Sequence, residues 1–357
     1  MSSNPATPSP LPTSFGEPVT QTGVRPATVV VAYSVVESWE RGLAQEMIAD
    51  AETVETATAI AAALVAQGYN APLLPVRTMR DLIDGLTPYL PADTLVFNVC
   101  EALGGTSGAE NAIPDTIGHL GFEYVGGDTA NLTRCLDKVA TKAQLAAANL
   151  PTAQSQLFVT GDEPIRLEFP VLLKTQFEDC SVGITPDSLV WNEAALRQQV
   201  AYLHRTYHQP AFAERFLRGR EFYVSLWEDA AAKPQVLAIS QADYSTAPDP
   251  SLAFDHFEAK WQNTYPSICP APIPPELAAT ISATARAAYQ LMDCRDYARV
   301  DMREDVDTVY ILEVNPNPAL HPDAGFAKAA RHAGFTFAQM AAYLVQNAWL
   351  RHQKSQE

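Results

Sequence analysis

The chain is 357 residues long, 47% hydrophobic, with a formal net charge of −17. That acidity speaks against nucleic acid or an anionic membrane as the main partner, since both require a basic footprint; an anionic small ligand held by local cations stays open. Five scattered cysteines (Cys100, Cys135, Cys180, Cys269 and Cys294) form no CxxC pair, which speaks against a disulfide framework or a zinc cluster and fits reduced thiols in a cytoplasm.

Residues 1–25, rich in Pro, Ser and Thr, read as a disordered tail without the apolar core or basic start of a signal peptide. No apolar run approaches membrane-spanning length. Order is expected from the β-branched run Ala27 to Tyr33, a buried strand. Glu46 to Gln67 has helical spacing, with Gly68 as its C-cap. Strands are expected at Ala71–Val76 and Leu95–Cys100, giving a parallel α/β domain that ends near Gly126-Gly127. A single helix follows, from Asn131 or Thr133 to about Asn149, stopped by Pro151. Next come a strand over Phe169–Lys174, a helix over Glu193–Tyr207, and two strands, Ala211–Phe216 and Glu221–Trp227, around the turn Arg218-Gly219-Arg220. Val236–Ile239 is a further strand. A polar loop runs from Ser240 to Pro274, a helix spans Glu276–Met292, and the chain is mostly helical from Ala324 onward.

The chemistry concentrates in Arg299 to Asn317, two strand-like runs joined by an acidic turn. Arg299 and Asp301 share one strand face, as do Glu313 and Asn315, while Val300, Met302, Leu312 and Val314 take the other. Pairing about Asp307 places Asp301 across from Glu313. Hard oxygen ligands then gather beside a guanidinium, a set suited to Mg²⁺ and phosphate; taken alone, the same pattern also fits a solvated hairpin. Lys174 closes a buried-type strand ahead of a small-residue loop with Ser181 and Gly183, and Lys138 lies in a helix. Glu214 and Glu221 lie on strands, where either can accept from adenine or ribose. Each of these also reads as an ordinary surface residue when taken singly.

Their order carries more. LDKVATK, FPVLLK, the Ser181-Val182-Gly183 loop, EAKW, RVD and ILEVNPNP together resemble the ATP-grasp superfamily, above all D-alanine–D-alanine ligase and its relatives, over roughly Val29 to Leu344. The resemblance implies an α/β (α+β) ATP-grasp fold. An N-terminal Rossmann-like parallel α/β substrate domain (26–130) would precede a central subdomain (131–212) and a C-terminal subdomain (213–350) with a mobile loop near 240–274. The last two would be α+β and clamp ATP between them. Lys138 and Lys174 would contact the ATP phosphates under a loop containing Cys180, Ser181 and Gly183. Glu214, Leu217 and the backbone near Arg215 and Phe216 would bind adenine, and Glu221 the ribose. Lys260 would reach the γ-phosphate. Asp301, Glu313 and Asn315 would hold Mg²⁺, two ions with Glu313 between them. Arg299 would steady the acyl phosphate, with Lys260 and Glu52 also catalytic. Glu52, Glu101, Arg299, Asn315, Asn317 and His321 would line the substrate side. The implied partners are ATP, a small carboxylate and an amino acid, in a cytoplasmic homodimer.

The implied reaction is attack of a carboxylate on the γ-phosphoryl of ATP, then displacement of phosphate by an amine. A loop that closes over the site protects the acyl phosphate from water. The family's N-terminal glutamate, phosphate-loop serine and following tyrosine have Glu52, Cys180 and Trp261 as counterparts here, and Ala324 stands near a substrate-holding serine. The expectation is therefore a carboxylate–amine ligase whose substrates are not two D-alanines; one relative with this profile couples an amino acid to mycosporine-glycine. The alternatives are a true D-alanine–D-alanine ligase, a carboxylate kinase and a nucleotide-binding regulator.

Overall fold

The computed structural model describes residues 25–36, 42–48, 53–105 and 108–356. The expected tail falls outside these residues up to position 24, and so does Glu52.

The first sheet is parallel, in the order β2-β1-β3-β4, from β1 (Thr28–Ser34), β2 (Leu73–Val76), β3 (Thr94–Asn98) and β4 (Glu123–Val125). Its strands are β-branched and buried because helices cover both faces. These are α1 (Thr53–Ala66), α2 (Met79–Leu86) and α3 (Ile113–His119). Of the helix expected over Glu46–Gln67, Thr53–Ala66 is helical and Ala44–Met47 is a 3-10 turn, while residues 49–52 lie outside the described ones.

The helix expected over residues 131–149 is two helices, α4 (Thr129–Leu136) and α5 (Lys138–Ala147). Asp137 breaks the run with ψ at 99° and caps α5, its Oδ1 accepting from Val139 N at 3.0 Å and Ala140 N at 3.2 Å. An aspartate satisfies orphan N–H groups better at a cap than a helix interior accommodates it.

The second sheet is antiparallel, in the order β5-β8-β6-β7, from β5 (Ser155–Phe158), β6 (Val171–Thr175), β7 (Leu189–Val190) and β8 (Ala211–Arg215). Helix α6 (Glu193–Tyr207) packs beneath it, its start capped by Asn192. The third sheet is antiparallel, in the order β11-β10-β9-β12-β13. It comprises β9 (Glu221–Glu228), β10 (Pro234–Ala242), β11 (Ser267–Ile268), β12 (Tyr297–Asp305) and β13 (Thr308–Asn315). Between its strands lie α7 (Phe257–Trp261) and α8 (Pro275–Leu291). The turn Arg218-Gly219-Arg220 therefore joins two sheets, and the crossing falls after Arg215 rather than at 212. Gly219 is required there: a Cβ would sit 2.2 Å from Glu304 O, which its amide reaches at 2.9 Å.

Helix α9 (Gly325–His332) packs on β10 and β9 of the third sheet, whereas the final helix α10 (Phe337–Gln356) packs on α1 and β4 of the first domain. They share one core with β1, α1, Trp227 and Tyr297, so the chain's end closes back onto the first domain. Among the described residues no helix is long and apolar enough to cross a membrane.

Candidate active site

The hairpin β12–β13 pairs as its alternation implies, Arg299 with Asn315 and Asp301 with Glu313. Val300, Met302 and Val314 are buried beneath. The register then slips, pairing Met302 with Ile311. A bulge puts two residues opposite one and turns their side chains toward the same side. Ile311 thus joins the buried core while Leu312, expected underneath, lines the cleft with Glu313. The Arg299 guanidinium grips Asp301 with two bonds, Nε to Oδ1 at 2.6 Å and Nη2 to Oδ2 at 2.7 Å. Burial pushes the Asp301 carboxyl up to about 6 although Arg299 pulls it down. Burial likewise opposes the charge on Glu313, but Lys174, Lys138 and Arg299 around it prevail and lower its pKa.

Lys174 rises from β6 opposite this hairpin. Its Nζ lies 2.6 Å from Glu214 Oε1, and Lys142 Nζ lies 2.9 Å from Glu214 Oε2. All three are buried, and Lys142 Nζ also donates to Ile311 O at 3.1 Å. Lys142 is a site residue that the sequence reading missed. Its signal is the second lysine of LDKVATK, one helical turn beyond Lys138. Both Glu214 oxygens pair with lysines, which fixes those cations. Burial would raise the Glu214 pKa, yet Lys142 and Lys174 hold it at about 2, below its ordinary 4.5. A depressed carboxyl contributes stability that is complete above the unfolded pKa and lost as pH falls toward the folded one. Glu214→Gln is therefore expected to flatten the acid limb of stability between about pH 4.5 and 2, read by urea midpoints measured across that range; an unchanged limb would contradict the pairing.

Lys138, at the first turn of α5, donates to Glu178 O and so ties the helix to the phosphate loop. Burial lowers its pKa, with Glu313 opposing. In that loop Cys180 (φ 50°) and Ser181 (φ 62°) both adopt left-handed backbone ahead of Gly183. Such strain in non-glycine residues is tolerated where a tight loop is imposed. The segment expected as a long loop, 240–274, closes over it. Ser181 Oγ donates to Asp255 O at 3.3 Å, and Phe257 N donates to Ile184 O at 3.0 Å. Lys260, at the end of α7, is exposed at the cleft. Cys180 and Trp261 pack against the core of the second sheet.

Arg215, Phe216 and Leu217 line a side chamber that continues the cleft. The Arg215 side chain itself is turned to Asp305 at 2.6 Å. Glu221 lies across β9–β12 from Arg303, which the sequence reading also missed; Arg303 Nη1 and Tyr244 OH both donate to Glu221 Oε2 at 2.9 Å. At the other end, Glu101, Asn315, Asn317 and His321 line the same cleft. Asn317 N donates to Asn315 Oδ1 at 3.0 Å, and Tyr297 OH donates to Asn317 Oδ1 at 2.7 Å, which fixes both carboxamides. Asp323 N donates to His321 Nδ1 at 3.3 Å. Ala319, Ala324 and Lys328 complete this end. Glu110 and Asn111 line an adjoining cavity, while residues 106–107 lie outside the described residues.

The model of the D-ala D-ala ligase C-terminus family matches residues 143–346. The chain belongs to the D-alanine–D-alanine ligase family. It is 30% identical to a D-alanine–D-alanine ligase of Acidiphilium cryptum over 82% of this chain and 92% of that one. It is 29% identical to an uncharacterised protein of Sinorhizobium fredii over 76% of this chain and 82% of the other. The crystal structure of the Bacillus anthracis D-alanine–D-alanine ligase complexed with ATP covers 93% of this chain and 100% of its own, with a TM-score of 0.69 at 19% identity. The fold is thus ATP-grasp, and the chain is an ATP-dependent carboxylate–amine ligase that forms a C–N bond.

In this D-alanine–D-alanine ligase-family chain, the cleft and its side chamber are lined by the expected site residues that lie among the described ones, except Gly183, which lines neither. Among the described residues no three His, Cys, Asp or Glu side chains converge as a metal cluster. Two carboxylates and one carboxamide converge instead. That donor set fits Mg²⁺, which keeps coordination positions for phosphate oxygens and water.

Proposed function

We propose that the chain joins the amine of an amino acid to a carboxylate, other than a D-alanine pair, through an acyl phosphate. The observation that carries this is the contrast between the two ends of one cleft. The end with Lys138, Lys174, Arg299, Asp301 and Glu313 supplies what phosphoryl transfer requires. Lysines and a guanidinium neutralise phosphate charge and act through position more than through covalent chemistry. Asp301, Glu313 and Asn315 would hold Mg²⁺, which when bound neutralises charge on the transferring phosphoryl group. Arg299, held in orientation by Asp301, is placed to steady the anion that forms as the amine attacks. The segment 240–274, resting on the phosphate loop, excludes water from a hydrolysable intermediate.

The substrate end supports the finer reading. Ala319 and Ala324 offer no side-chain hydroxyl, while His321, Asp323 and Lys328 add groups of other kinds. Coupling an amino acid to a mycosporine-glycine-like carboxylate is the specific candidate. The relatives named as D-alanine–D-alanine ligases favour that enzyme as the second reading. A screen of amino acids and carboxylic acids for ATP-dependent phosphate release separates the two. ADP release that requires a carboxylate and a different amine together supports the proposal; efficient release with D-alanine alone gives the second reading.

A further inference from the structure

The phosphate loop is also fastened from the first domain. Gly42–Ile48 follows β1, yet this segment docks on the second domain, against the end of α6. Glu46 is only 2% exposed, and its carboxylate accepts three hydrogen bonds. The donors are Leu43 N at 2.7 Å, Tyr207 OH at 2.8 Å and Gly183 N at 3.0 Å. Gly42 N adds a bond to Thr206 O at 3.2 Å. The fit leaves no spare room: with φ at +61°, a Cβ on Gly42 would lie 2.4 Å from Glu46 Oε2 and 2.5 Å from Tyr207 Cε1. Burial and the neighbouring carboxylate raise the Tyr207 pKa, so its hydroxyl stays a donor.

Gly183 belongs to the loop that carries Cys180 and Ser181, and a Cβ there would sit 3.0 Å from Thr175 Cγ2, the residue after Lys174. The loop is therefore held at one end by Lys138 through Glu178 O and at the other by Glu46 through Gly183 N. A carboxylate that accepts from a backbone amide makes a strong, charge-assisted bond. Removing it leaves buried donors unpaired.

We propose that Glu46 is a positioning residue: it couples docking of the Gly42–Ile48 segment to the geometry of the phosphate loop, so that the nucleotide phosphates are gripped when the first domain's segment is seated. The inference rests on the ligase reading of the cleft and deepens it. Coupling of this kind is reciprocal, so nucleotide binding also strengthens the docking.

The test is calorimetric titration of the non-hydrolysable ATP analogue adenylyl imidodiphosphate, with Mg²⁺, into the full chain and into Glu46→Gln and Tyr207→Phe. Gln keeps the size of Glu46 but has one acceptor oxygen for three donors. Binding about tenfold weaker is expected for Glu46→Gln, with a smaller loss in the same direction for Tyr207→Phe. In the wild-type chain, hydrogen exchange of the 43–47 amides should slow when the analogue binds, a response that a merely structural contact would not give. Affinity within twofold of wild type in a folded Glu46→Gln variant, or 43–47 amides indifferent to the analogue, would overturn the inference. Should Glu46→Gln fail to fold, Tyr207→Phe and the wild-type exchange readout decide alone. Neither readout uses the acceptor substrates, so a failure of the ligase reading, seen as no phosphate release in the substrate screen, is told apart from a failure of this one.

Discussion

Replacing Glu313 by Gln is expected to lower ATP-dependent turnover by on the order of 10³-fold while leaving the fold intact. Glu313 faces Asp301 across the hairpin, and the charges of Lys174, Lys138 and Arg299 together lower its pKa. Gln has nearly the same volume and retains an acceptor, so packing around Leu312 and Val314 need not change. What disappears is a negative charge shared by three cations and, in the ligase reading, the anionic ligand for Mg²⁺. In that reading those groups act where charge moves during phosphoryl transfer, in a partly desolvated cleft where each interaction is worth more than in water. The check is the rate of ADP release with the substrate pair found in the screen, alongside an unfolding curve. Turnover within tenfold of wild type would remove Glu313 from the catalytic set.

The largest structural effect is expected far from the cleft floor, at Asp296. This residue is fully buried and adopts left-handed backbone with φ at 63°. Its carboxylate joins three parts of the chain. Oδ2 accepts from Gly126 N at 2.7 Å, just after β4, and Oδ1 accepts from Arg351 Nη1 at 2.5 Å, on α10. Arg351 in turn donates to Glu123 Oε1 at 3.0 Å and Tyr124 O at 2.8 Å. The first domain, the start of β12 and the last helix meet at this one ion pair. Asp296→Ala leaves the buried Gly126 amide without its acceptor, leaves the half-buried Arg351 with Glu123 as its remaining ion partner, and puts a β-carbon with no polar compensation into left-handed backbone. A loss of about 2–3 kcal/mol is expected, chiefly from the unpaired buried amide, read as a lower urea midpoint. Asp296→Asn, which tolerates that backbone and keeps one acceptor, should lose clearly less. An Asp296→Ala protein as stable as wild type would show that the domains are held by apolar packing alone.

Much of the hairpin was legible before the fold was known, because alternation assigns faces and an acidic turn at Asp307 sets the register. Leu312 escaped because a bulge is a local slip of the ladder that alternation cannot register. The break at Asp137 escaped for a different reason: the residues on either side are good helix formers, and only the geometry distinguishes a capping aspartate from an interior one. Lys142 and Glu46 are buried charges whose partners are distant in sequence, 72 residues from Lys142 to Glu214 by number and 137 from Glu46 to Gly183. Periodicity identifies neither partner. The return of α10 to the first domain was equally hidden, since an amphipathic helix shows that it packs without showing against what.

The central claim is that one substrate carboxylate becomes an acyl phosphate before the amine displaces it. The same substrate screen tests this directly when the productive carboxylate is labelled with ¹⁸O and the released phosphate is analysed by mass spectrometry. Attack on the γ-phosphoryl followed by loss of phosphate carries one carboxylate oxygen into the phosphate for each amide formed, so one ¹⁸O per phosphate released is the predicted result. Unlabelled phosphate accompanying amide formation would contradict the account.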